Sequence, residues 1–108
     1  MEIKVTLKPR TGTSFAEAIY YGDTFVVKAG GKISADFASH IRGGKAAKAY
    51  RDDRNYVDEN RNIIKDCTFN SPSTAAQFVT GRSTNGYEAW KVSKKVSLAK
   101  YLREQGLR

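Results

Sequence analysis

Residues 69–90 read FNSPSTAAQFVTGRSTNGYEAW, and this stretch decides the fold. Ser71 before Pro72 predicts a helix start. The serine hydroxyl accepts a bond from an otherwise unpaired backbone N–H, and proline suits the next position, where its missing N–H is not needed. Ala75, Phe78 and Val79 then fall on one apolar stripe, and Gly81 stands where a left-handed residue would end the helix. Thr84, Asn85, Gly86 and Tyr87 read as a turn, because Asn-Gly tolerates positive φ. Residues 88–92 read as a short strand with Trp90 and Val92 on one face. Each of these features is explained by the fold alone, and two also have a functional reading. The N–H groups of Ser73, Thr74 and Ala75 would face a phosphate at the positive end of the helix, and Tyr87 or Trp90, if exposed, could stack on a base.

Working outward, Ile3, Val5 and Leu7 alternate with polar residues and open the chain with a half-buried strand. Residues 15–28 read as a β-hairpin turning at Gly22-Asp23. Ile33, Ala35 and Phe37 suggest a further short strand. Gly43-Gly44 separates it from a helical segment over 45–54. There Ala46 or Ala47 and Tyr50 share one face, and Lys45, Lys48, Arg51 and Arg54 make the other basic. Residues 64–69 read as a strand leading into Ser71. Ser97 caps a final helix whose buried side carries Leu98, Tyr101 and Leu102, ending before Gly106. The expected architecture is α+β: one small domain, 1–108, with a twisted, mainly antiparallel sheet of short strands and about three short helices.

The 108 residues carry a net charge of +8, unevenly spread. Residues 80–108 hold seven basic side chains, Arg108 included, against Glu88 and Glu104. A basic end of this kind favours polyanions, and Arg82, Lys91, Lys94, Lys95 and Lys100 are the candidate phosphate contacts for DNA. The opposing reading is that the charge only aids solubility. The single cysteine, Cys67, excludes an internal disulfide and fits a reducing cytoplasm. No stretch is apolar enough for a membrane span.

Catalysis needs a constellation, and none stands out. His40 is the sole histidine and lies in no recognised motif. One His and one Cys are too few for an ordinary zinc site, so no metal or other cofactor is expected. Asp52-Asp53 and Asp58-Glu59 sit among basic residues, where salt bridging is the default. Gly30-Gly31 and Gly43-Gly44 lack the spacing and lysine of a phosphate loop. The reading is against an enzyme.

Two runs of residues carry a family likeness. Phe69, Ser71-Pro72-Ser73 and Ala75-Ala76 form the first, and Gly81-Arg82-Ser83, Asn85-Gly86-Tyr87 and Trp90 the second. Together they resemble the signature of domain-of-unknown-function family 4357 (DUF4357). Phe25 to Gly30 resembles the family's strand ending in a small-Gly element, and the likeness extends over about residues 16–103. Tyr87 stands where the family usually has tryptophan, and Thr74 and Thr84 replace common alanines. Gly31 replaces a frequent serine, and Lys95-Val96 a customary glycine-lysine turn. The arrangement is also similar to the restriction enzyme adenine methylase associated (RAMA) domain. The resemblance implies a non-catalytic prokaryotic accessory domain facing DNA, including modified DNA, in a restriction or defence context. The signature positions carried over are Ser71, Ser73, Asn85, Tyr87 and Trp90. The alternative is a protein-interaction module whose partner binds a strand edge or the 45–54 helix. The oligomeric state is left open.

Overall fold

Strand β1 (Ile3–Leu7) buries Ile3, Val5 and Leu7 and turns Lys4 and Thr6 outward, as its alternation predicts. The computed structural model describes residues 1–10, 12–38 and 44–107; His40, Gly43 and Arg108 lie outside them. The predicted hairpin is present as β2 (Ala16–Tyr20) and β3 (Phe25–Val27). After helix α1 (Lys45–Arg51) come β4 (Cys67–Phe69), α2 (Pro72–Thr80), the one-turn helix α3 (Gly86–Ala89), β5 (Lys91–Ser93), β6 (Val96–Ser97) and α4 (Leu98–Glu104). The strands form one antiparallel sheet in the order β4-β3-β2-β1-β5-β6, an α+β architecture.

Register explains which face is dry. Val5, Ala18, Val27 and Cys67 lie side by side across four strands, and all are buried. The next buried row ends in Phe25 and Phe69, which meet the aromatic side chains brought down by the helices. Phe25 packs on Trp90 at 4.9 Å between ring centroids, and Phe69 on Phe78 at 5.3 Å. Such tilted contacts add to the area term that drives the core together. Lys4, Ile19, Val26 and Thr68 form the corresponding row on the opposite face, where none is fully buried.

Several boundaries differ from the sequence reading. Helix α1 stops at Arg51 rather than 54, because Asp53 and Tyr56 close turns of their own on Tyr50 and Asp53 carbonyls. Residues 33–37 are not a strand. Just before them Lys32 bridges Phe15 and Asn62; the Ile33 N–H then bonds the Arg61 carbonyl, and the Ser34 and Ala38 N–H groups bond the carbonyls of Val79 and Gly81 at the end of α2. The strand expected over 64–69 is confined to Cys67–Phe69. Cys67 is buried, as expected of a small apolar strand residue, and burial pushes its thiol up to about 12.

Candidate functional site

The signature stretch is a set of mutual caps. The Ser71 hydroxyl accepts the Thr74 N–H at 3.2 Å, and Gly81 ends α2 in the left-handed region at φ 72. The Ser73 hydroxyl accepts the Gly86 N–H at 2.9 Å. Asn85 is not part of a turn; its Oδ1 accepts the Tyr87 N–H at 3.1 Å and caps α3. Glu88 and Ala89 therefore belong to that helix, and the strand expected over 88–92 begins only at Lys91. Trp90 is 0 % exposed, and its indole N–H donates to the Pro72 carbonyl at 3.0 Å.

These bonds decide between cap and ligand for most of the stretch. Gly86 lies so close to the first turn of α2 that a Cβ there would run into the Pro72 carbonyl and the Ser73 nitrogen. The Thr74 and Ala75 N–H groups are taken by the Ser71 hydroxyl and carbonyl. Two of the three N–H groups expected to face a phosphate are thus taken by the chain itself. Trp90, wholly enclosed, cannot stack on a base. Tyr87 is half-buried, with its ring edge-on to Tyr20 at 6.3 Å.

The open ground lies at the other end of α2. A groove of about 910 Å³ runs between the link after β1, residues 34–38, and the loop after α2. Lys8, Arg10, Arg61 and Arg82 line it, with Asp36 the single acidic side chain in its lining among the described residues. Arg82 is set by its neighbours: the Thr80 hydroxyl accepts its N–H at 3.2 Å, and the Thr84 hydroxyl donates to its carbonyl at 3.1 Å.

Arg61 is presented by a tight turn. The Asp58 carboxylate accepts the N–H groups of Asn60 and Asn62 and the Asn62 amide, an Asx-type closure. Those bonds, led by the Asn62 N–H, hold the Asp58 carboxyl below its ordinary range. Asp58 is thereby spent on the turn rather than on the salt bridging expected from sequence, while Asp52 pairs with Lys48 at 2.9 Å as expected. Arg61 sits at φ 68, a conformation costing a non-glycine residue about 1 kcal/mol. Its Nε is buried without a hydrogen-bond partner.

Behind the groove wall stands Arg51, expected on a solvated face and found only 9 % exposed. Its guanidinium donates to the carbonyls of Phe78 (2.7 Å), Ser34 (2.7 Å) and Asp36 (3.1 Å) and sits 5.0 Å from the centre of the Phe37 ring. The end of α1 delivers a cation to the carbonyl end of α2, where the helix dipole favours it. Burial lowers its pKa, and the positive charge of Arg61 adds to that effect against Asp52 and Asp36. Arginine nevertheless stays protonated. Arg51 therefore ties residues 34–37 to α2 and leaves a positive charge beneath the groove.

The other predicted phosphate contacts lie apart from it. Lys91 is exposed on β5, opposite Thr6 of β1, and its ammonium donates to the Glu88 carbonyl at 2.7 Å. Lys94 and Lys95 are exposed in the β5–β6 turn. Lys100, on α4, makes a loose 3.9 Å pair with Glu104. The structure thus brings Lys91, Lys94 and Lys95 together on one hairpin and separates Arg82 into the groove. Lys8, Arg10 and Arg61 escaped the sequence reading; Lys8 continues the β1 alternation, but no local signal joins Arg61 to it. Among the described residues no group of three or more His, Cys, Asp or Glu side chains could hold a metal ion. No helix among them is long and apolar enough to cross a membrane.

No curated protein and no solved structure matches this chain. A family model does, over residues 7–102, and so takes in the groove wall after β1 as well as the signature stretch expected to carry the likeness. With most of its length matched, the chain belongs to the family described as domain of unknown function (DUF4357).

Proposed function

We propose that this protein is a non-catalytic accessory domain that binds duplex DNA through its basic surface, in a restriction or defence setting of the kind implied by the likeness to the RAMA domain. One observation carries the reading: Arg82, Lys91, Lys94 and Lys95 are all exposed, and none has an ion pair among the described residues. Cations not already neutralised by a carboxylate are the groups that release counterions from a phosphate backbone. The Lys100–Glu104 pair is half-exposed, and such surface pairs exchange readily for a phosphate. Trp90 has no part in this reading, and base discrimination falls to the groove and to half-buried Tyr87.

The test is duplex binding by fluorescence anisotropy across a salt series, with plain and N6-methyladenine DNA. Neutralising Lys94 and Lys95 to glutamine should weaken binding about tenfold and reduce the salt slope by roughly 2, the worth of two phosphate contacts. An unchanged slope removes the hairpin from the interface. Absence of binding at low salt overturns the DNA reading itself.

A further inference from the structure

The geometry points to the groove at the end of α2 as a binding site for a nucleoside monophosphate unit, distinct from the hairpin cations. Its volume of about 910 Å³ is that of a small-molecule site and far exceeds what a bare phosphate fills. The lining is of two kinds. Leu7, Pro9, Phe37 and Ala89 offer an apolar, partly aromatic wall suited to a flat ring. Arg10, Arg61 and Arg82 offer the forked donors that recognise phosphate, and Lys8 adds a point charge.

The electrostatics favour an anion beyond that tally. Asp36 is the single carboxylate among the described lining, and the buried charge of Arg51 lies directly behind the 34–37 wall. Arg61 is held in a left-handed conformation by the Asp58 turn, has a buried Nε with no acceptor, and makes no side-chain hydrogen bond among the described residues. The Nε itself is enclosed, so a phosphate oxygen would be met by the terminal guanidinium nitrogens of Arg61, for which no acceptor is supplied among the described residues. Asp36 and the Thr13 hydroxyl are left to meet a sugar hydroxyl or an exocyclic amine. Arginine faces also stack on bases, so the same cations serve both halves of the ligand.

The unit has two sources: a free nucleotide, or one nucleotide unstacked from a strand. The experiment is a ¹⁵N chemical-shift titration of the intact chain with deoxyadenosine monophosphate, deoxyadenosine and inorganic phosphate in parallel. The monophosphate is expected to shift amides in 12–14, 34–38 and 80–84, with the nucleoside and phosphate each binding about tenfold weaker or less. Arg61→Asn, which keeps a residue tolerant of positive φ, should lose about tenfold in affinity, and Arg10→Gln a comparable factor if Arg61→Asn proves unfolded. The Lys94/Lys95 double variant should bind the monophosphate unchanged, so failure of the duplex reading and failure of this one give different results. Equal affinity for inorganic phosphate and monophosphate overturns the proposal, as does binding that ignores both arginine variants or an absence of shifts. Competition by a duplex bearing one bulged adenosine assigns the strand source; no competition, with monophosphate binding intact, assigns the free nucleotide.

Discussion

The two ends of helix α2 are built on opposite terms. At its start, Ser71 with Thr74, Ser73 with Gly86, and Pro72 with Trp90 spend polar atoms on one another. At its finish, Arg61, Arg82 and Arg10 surround open space, and one strained backbone turn holds Arg61 among them. A region whose donors and acceptors are mutually saturated has stability to give and little left for a ligand. A region with excess like charge is tolerated only because water, or an anion, can reach it. Most of the family signature therefore lies at the saturated end, where it fixes the fold, and only its Gly81-Arg82 portion reaches the open groove at the other end of the helix.

The largest effects should come from breaking the saturated end. Gly86→Ala drives a methyl into the Pro72 carbonyl and the Ser73 nitrogen, both backbone atoms that cannot swing aside. A loss of about 3 kcal/mol is expected by chemical denaturation, at the upper end for overpacking. Trp90→Phe should lose about 2 kcal/mol, from reduced burial and from orphaning the Pro72 carbonyl. Either variant at wild-type stability would mean that the α2–α3 joint does not hold the domain together.

Arg51→Met comes next and sharpens the contrast, because it attacks the groove from inside the core. It removes donors from the carbonyls of Phe78, Ser34 and Asp36 while roughly keeping the side chain's bulk. Stability should fall by about 2 kcal/mol. Amide shifts should concentrate in 34–38 and 78–82 and spare the Trp90 indole. Shifts spread evenly over the domain would show that the two ends of α2 are one cooperative unit.

The features that sequence could disclose are those whose causes are local. Ser71-Pro72, Gly81 and Ser97 act within one turn of themselves, and each does what its residue type predicts. The alternation of β1 survives because one face of the sheet is dry. Asn85-Gly86 misled because the same dipeptide serves a turn or a helix cap; what selects the cap is contact with Ser73 and Pro72, more than ten residues away. Ile33, Ala35 and Phe37 alternate like a strand, yet the Ile33 N–H bonds the Arg61 carbonyl of a turn, and those of Ser34 and Ala38 bond the end of a helix. Arg51 looked like surface because its acceptors come from two distant segments, 34–36 and the end of α2, neither visible at 45–54. The groove was illegible for the same reason. Lys8, Arg10, Arg61 and Arg82 carry no common spacing, and only the folded chain assembles them.

The smallest expected effect separates the two ends by pH. Asp58 is held below its ordinary pKa by the N–H groups of its own turn, so its contribution is present above the unfolded value and is lost as pH falls through the folded one. Acidification from near neutral to about pH 2.5 should therefore shift the amides of Asn60, Arg61 and Asn62 on the groove side. The Gly86 amide and the Trp90 indole, whose partners are a hydroxyl and a carbonyl, have no titrating group to follow. Asp58→Asn keeps an acceptor for the turn but cannot titrate, so it should abolish the acid shifts while leaving the neutral-pH spectrum near wild type. Acid shifts that persist in this variant, or that reach Gly86 and Trp90 at the same pH, would show that Asp58 does not control the turn and that the groove is not the separately adjustable end of the helix.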